Sequence, residues 1–367
     1  MGQETRITAG QPRLLCLMGS GEMSPGMVKV HADLLRRVGG KAAPAVMLDT
    51  SYGFQENADD LTARAQRFFE ARVRHPIEVA SLRNLDEADP LLTQRAYRLL
   101  AGAAYIFAGP GSPSYAVRQW RRSRVPQLLA QRLAAGGCLT FASAAAIAVG
   151  RLALPVYEIY KVGEPPHWIE GLDLLHPVGL DVTVVTHYDN AEGGTHDTRY
   201  CYMGARRLAV LEAQLPSELS ILGIAEHTAA IIDLDARTLE VRGRGFVAIR
   251  RRGAERRFEA GQSVPLEALA LAGTSLDRDS AATRRPVQPA GETIDPVSEE
   301  ERLRIELRQA ISQIVEVAVR LRDEARQERR YSEADRLRDA LLDLGIEIRD
   351  TPVGSEWTVK ERPFNQI

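Results

Sequence analysis

Ser143 lies in the stretch Gly136-Gly137-Cys138-Leu139-Thr140-Phe141-Ala142-Ser143-Ala144-Ala145-Ala146. Leu139 to Ala142 reads as a short buried strand, and Ala144 onward as a helix of small residues. A serine at that junction stands on a sharp turn with its hydroxyl lifted out of the sheet. It also lies beside the unpaired N–H groups of a helix's first turn, which can hold an oxyanion. The same pattern also suits a serine that caps an ordinary helix. A second concentration of reactive side chains runs from His187-Tyr188-Asp189-Asn190 to Arg199-Tyr200-Cys201-Tyr202. A segment made only to connect would draw on Gly, Ser, Lys and Glu, so this one reads as a functional loop. Serine chemistry needs an imidazole to take the hydroxyl proton and a carboxylate to fix the imidazole's tautomer. A metal site built from His187, Glu192, His196 and Asp197 is the rival use of this loop, and its spacing matches no known ligand pattern.

Several elements must position these residues. Arg13 to Met18 is an apolar run ending in Gly19-Ser20-Gly21-Glu22, followed by a helical segment from Pro25 to Arg37. Strands are expected at Ala45 to Leu48, Pro76 to Ala80 and Ala104 to Phe107, with helices at Asn57 to Ala71 and Leu91 to Leu100. Val182 to Thr186 is a further strand pattern and delivers His187. Strands alternating with helices predict an α/β fold, a mostly parallel sheet sandwiched by helices. Gly109-Pro110-Gly111-Ser112-Pro113 follows a strand directly, at the carboxyl edge where ligands of open α/β sheets bind. Its glycines let backbone amides approach a substrate carbonyl, although Pro110 has no N–H to give. A tight turn opening the helix at Ser114 is an equal reading.

Composition narrows the function class. The 367 residues carry a net charge of −2, without the basic excess that advertises nucleic acid. Three separated cysteines (Cys16, Cys138, Cys201) argue for a reducing compartment and against a zinc cage. Met1 to Gln11 is polar and no apolar run reaches a membrane span, so a cytoplasmic protein without membrane association is expected. No metal or cofactor is expected either: Gly19-x-Gly21 lacks the third glycine and the Lys-Ser/Thr of phosphate cradles.

The order of these parts over residues 13–250 resembles the cyanophycinase and aspartyl dipeptidase family of serine peptidases, whose fold is similar to class I glutamine amidotransferases. The resemblance rests on the glycine turn after the first strand, Phe107-Ala108-Gly109, Ala142-Ser143-Ala144-x-Ala146, His187-Tyr188 and Arg206-Arg207-Leu208. It extends through Gly223-Ile224-Ala225-Glu226-His227-Thr228-Ala229 to Val241-x-Gly243-x-Gly245. It implies a hydrolase of peptide or isopeptide amides, with Ser143 as nucleophile and His187 as general base. Glu158 falls about where the family's acidic residue would, and Asp189 is a weaker substitute. The amides of Ala144, Gly109 and Gly111 would form the oxyanion hole. Arg199, Arg206 or Arg207, with Asn190, would bind an acidic, peptide-like substrate.

Residues 274–298, rich in Pro, Ser, Ala, Arg and Asp, read as a linker between an α/β domain (1–273) and a small helical module (299–367). Apolar residues from Leu303 to Leu321 recur at helical spacing, predicting a helix from about Glu299 to Arg329. Ser332 and Asp335 resemble a capping box, Gly345 would end a second helix, and Ile346/Ile348 with Trp357/Val359 suggest a hairpin. The segment Tyr331-Ser332-Glu333-Ala334-Asp335-Arg336-Leu337-Arg338-Asp339 through Asp350-Thr351-Pro352-x-Gly354-x-x-Trp357 resembles the anticodon-binding tail of cysteinyl-tRNA synthetases. The 13 Lys/Arg and 16 Asp/Glu from 299 to 367 are a poor balance for gripping phosphates. A tRNA partner, a protein partner and self-association into a homo-oligomer all stay open, and a non-catalytic adaptor using this module is the rival to the hydrolase.

Overall fold

The computed structural model describes residues 10–269 and, further on, residues 315, 318–319, 321–323, 325–326, 330–343, 346–351 and 354–359. The chain divides into two compact units, Met1–Asp277 and Arg278–Ile367.

In the first unit, β1 (Arg13–Met18), β2 (Ala45–Leu48), β3 (Glu78–Ala80), β4 (Tyr105–Ala108) and β5 (Gly137–Ala142) form the parallel half of an eight-stranded sheet. Helices α1 (Val28–Arg37), α2 (Ala58–Phe68), α3 (Pro90–Gly102), α4 (Pro113–Arg121) and α5 (Val125–Ala135) connect them, and the five-residue α6 (Ala144–Ala148) follows β5. After the short pair Leu152–Ala153 (β6) and Ile169–Glu170 (β7) come β8 (Val182–Val185), α7 (Gly204–Ala213), β9 (Ser220–Ile224), β10 (Thr228–Asp233), β11 (Thr238–Gly243), β12 (Phe246–Arg251), β13 (Ala254–Glu259) and β14 (Ser263–Pro265). The large sheet runs β14-β11-β10-β1-β5-β4-β2-β3, with β10, β11 and β14 antiparallel. A second sheet runs β13-β12-β9-β8, so the strand that delivers the histidine lies outside the main sheet.

The period of two along β1 explains the layering. Leu14, Cys16 and Met18 face α1 and α2 in one core, while Leu15 and Leu17 face the opposite core with Trp120, Leu129, Phe141 and the inner residues of the second sheet. Phe141, two places before Ser143, is fully buried against Trp120. Burial of that size stabilises by about 1.5–3 kcal/mol. Among the described residues no helix is long and apolar enough to cross a membrane.

In the second unit, α8 (Tyr331–Asp343) packs beside the antiparallel hairpin of β15 (Ile346–Thr351) and β16 (Gly354–Val359). Val315, Val319, Leu341 and Ile346 make its small core. Residues 315, 318–319, 321–323 and 325–326 of the expected long helix are helical; the rest of it, Gly345 and the expected linker 274–298 lie outside the described residues.

Candidate active site

The end of β5 builds the site. Ser143 has φ 50° and ψ −117°, a left-handed turn that costs a non-glycine residue about 1–3 kcal/mol. Packing imposes it: the Ser143 N–H donates to the Met18 carbonyl at 3.0 Å, Ile147 N–H donates to the Ser143 carbonyl at 3.0 Å, and Phe141, Ala142, Ala144 and Ala145 are all buried. Only the half-buried serine hydroxyl points out of this close-packed turn.

His187 arrives two residues after β8, itself at φ 47°. Its Nδ1 lies 2.7 Å from Glu226 Oε1 and its Nε2 3.0 Å from Ser143 Oγ. An ionised carboxylate only accepts, so Nδ1 carries the proton and donates it, leaving Nε2 to accept from the hydroxyl. Asn190 Nδ2 also donates to Glu226 Oε1 at 3.0 Å, and Glu226's own N–H donates to Asp189 Oδ1 at 2.7 Å. The hydrogen bond from His187, helped by Asn190, holds the Glu226 carboxyl below the usual carboxylate range despite partial burial. Serine, imidazole and carboxylate thus stand in one chain, in which the ring can take the hydroxyl proton and the acid can stabilise the resulting cation.

The third member differs from the expectation. Glu158 is not beside His187: its Oε1 accepts from Ser114 Oγ at the start of α4, and its Oε2 is buried with no hydrogen-bond partner among the described residues. Glu226 takes the place at the imidazole because β8 and β9 are parallel neighbours in register Val185↔Gly223. That register brings the residues just past both strands to one edge. Asp189 serves indirectly, by holding the Glu226 backbone.

The loop bearing His187 is pinned from behind. Tyr188 is buried and its hydroxyl donates to Glu255 at 2.8 Å, while its ring lies where a Cβ on Gly223 would sit, 2.4 Å from the nearest ring atom. Only glycine at 223 lets that ring lie flat on β9. Tyr200, Cys201 and Tyr202 all have positive φ and close the loop back, with the Cys201 N–H donating to the His187 carbonyl at 3.2 Å.

The remaining expected site residues fare differently. Ala144 N–H is one of the first-turn donors that a helix leaves unpaired, directly after Ser143. Gly109 and Gly111 flank the site on the β4 side; Ser51 Oγ donates to the carbonyls of Gly109 and Pro110 at 3.0 and 2.8 Å. Gly111 must be glycine for packing, because a Cβ there would meet the Ser51 carbonyl at 2.0 Å. Asn190 is buried and bonded to Glu226, so it braces the acid instead of facing a substrate. Arg199 is bound through Nε and Nη2 to Asp197 at 2.9 and 2.8 Å, which takes up its charge. Arg206 and Arg207 are exposed on α7 and make no ion pair with the Ser143–His187–Glu226 chain. Glu192 accepts from Tyr202, and among the described residues no group of three or more His, Cys, Asp or Glu could hold a metal ion. The three thiols are buried, which pushes Cys138 and Cys201 up to about 12 and Cys16 well above its usual value, so they pack and do not react.

No family model matches the chain. The structure resembles that of a peptidase from an acI-B1 actinobacterium, with a TM-score of 0.57 and 20% sequence identity, covering 70% of this chain and 98% of that one. At that identity the likeness shows a shared fold. Curated relatives match elsewhere: the cysteine–tRNA ligase of Syntrophobacter fumaroxidans is 35% identical over 95 residues, 26% of this chain and 19% of the ligase. That of Lactobacillus gasseri is 54% identical over 43 residues, 12% of this chain and 9% of the ligase. The chain thus spans a fifth or less of the curated relatives it matches, in agreement with the resemblance of its C-terminal segment to a synthetase tail.

Proposed function

We propose that the first unit is a serine hydrolase that cleaves peptide or isopeptide amide bonds through an acyl-enzyme on Ser143. The observation that carries this reading is the continuous chain from Ser143 Oγ through His187 to Glu226 Oε1, with steps of 3.0 and 2.7 Å. His187 Nε2 takes the hydroxyl proton as Oγ adds to the amide carbon. The carbonyl electron pair moves onto oxygen, where the amides of Ala144, Gly109 and Gly111 stabilise it. Collapse expels the amine, which leaves with the proton from His187, and a water repeats the sequence to release the acid. The peptidase fold supports the class of reaction. The test is incubation of the purified protein with a library of dipeptides and isopeptides: new amines released by wild type and not by Ser143→Ala are expected, and equal release by both would refute the reading.

A second reading concerns the C-terminal module. Its likeness to cysteine–tRNA ligases favours an adaptor role, binding tRNA or a protein, alongside or instead of hydrolysis. A mobility-shift titration of the full chain with a tRNA mixture in low and moderate salt tests it: a salt-sensitive shift is expected of an RNA module, and no shift at either salt would remove RNA as the partner.

A further inference from the structure

Glu22 is more than nine-tenths buried and belongs to no ion pair among the described residues. It lies in the turn after β1, and its place across the sheet is informative. β5 runs between β1 and β4, with Met18 opposite Ala142 and Ala108 opposite Phe141. Ser143 therefore stands between the turn that follows β1 and the loop that follows β4. Neighbouring strands are about 4.8 Å apart, so those two flanks are separated by the end of β5. Yet Glu22 Oε1, which starts from the β1 side, lies 4.0 Å from the Cβ position of Gly109 on the β4 side. Its carboxyl reaches across the mouth of the serine's turn.

The reach is braced from below. The Glu22 carbonyl accepts from His31 Nε2 at 2.8 Å, and His31 Nδ1 accepts from the Tyr105 hydroxyl of β4 at 2.7 Å. Burial keeps this ring neutral by pushing it down to about 4. Glu22's own backbone N–H favours the ionised carboxyl. His187 from the loop after β8, His227 from the β9–β10 turn and Arg64 from α2 bear on it electrostatically and favour ionisation, but burial outweighs them and raises it above the usual carboxylate value. A carboxyl that holds its proton can donate a hydrogen bond, as an amide does.

We propose that Glu22 donates its carboxylic O–H to the developing oxyanion at Ser143, beside the Ala144 and Gly109 amides, in the role that Pro110 cannot fill. Glu22 keeps its proton throughout; the bond made and the bond broken are those of the acyl transfer, and the proton carried is the one His187 takes from Ser143. This assignment rests on the hydrolase reading above.

The test is the rate at which a fluorophosphonate, a neutral probe with no cation, labels Ser143 in the full chain. Loss of one oxyanion donor costs about 10²–10³-fold. Glu22→Ala is expected to slow labelling by about 100-fold, while Glu22→Gln, which still offers an N–H, stays within about tenfold of wild type. The wild-type rate should also fall as rising pH removes the Glu22 proton, and Glu22→Gln should lack that fall. A wild type that does not label refutes the hydrolase reading itself. A wild type that labels, with Glu22→Ala labelling equally fast, overturns the role of Glu22 alone, as would be seen if this acid only bound a cationic part of a substrate. If Glu22→Ala does not fold, that fall with pH decides: its persistence in Glu22→Gln overturns the proposal.

Discussion

His187 donates its Nδ1 proton to Glu226 across 2.7 Å, although 39 positions separate the two residues in the chain. Their strands are parallel neighbours, and the residues that follow them share one edge. Glu226→Gln keeps the shape but can present its amide N–H to Nδ1 and so stabilise the wrong tautomer. Labelling of Ser143 by a fluorophosphonate is expected to slow by up to about 10⁴-fold in that variant. Glu158→Gln, which touches Ser114 and not His187, is expected to label close to the wild-type rate. The reverse ranking would return the acid's role to Glu158.

Glu226 also makes stability depend on pH. Its carboxyl is held below its unfolded value of 4.5, first by the hydrogen bond from His187. A depressed carboxylate contributes stability that is present above the unfolded value and is lost as pH falls toward the folded one. Urea unfolding of wild type and Glu226→Gln should therefore differ most near pH 7, and the difference should narrow steadily below pH about 4.5. A gap that widens on acidification would show that the carboxylate is not stabilised by the ring.

How much of this was legible beforehand depended on distance along the chain. Ser143 could be found because strand, turn and small-residue helix are contiguous, and His187 because it directly ends an apolar run. Chain order points to Glu158 as the acid, whereas in space Glu158 sits on Ser114 and Glu226 lies against the His187 ring. Glu226 lies in the segment from Gly223 to Ala229, but its place at the ring depends on β8 pairing with β9 in a sheet separate from the main one, and pairing leaves no mark in either strand alone. In sequence Glu22 is part of a glycine turn; its reach over β5 follows only from strand order. The strands from β1 to β5 are legible through their alternation with helices, whereas the antiparallel half of the sheet carries no such alternation.

Gly223 offers a separate check on the packing behind the histidine. A methyl group there would lie 2.4 Å from the Tyr188 ring, which is buried and anchored to Glu255. Gly223→Ala is expected to destabilise the protein by about 1–3 kcal/mol in urea unfolding, by overpacking. Displacement of Tyr188 should also move His187, so the folded variant should label more slowly. Unchanged stability and rate would mean that Tyr188 does not hold the loop.

The most direct measurement is the intact mass and peptide map of the protein after exposure to a fluorophosphonate. One adduct is expected, on Ser143, absent from Ser143→Ala and formed far more slowly in His187→Ala, because the hydroxyl then has no imidazole to take its proton. A wild-type protein that stays unmodified, or that carries its adduct on a different residue, would contradict the nucleophile assigned here.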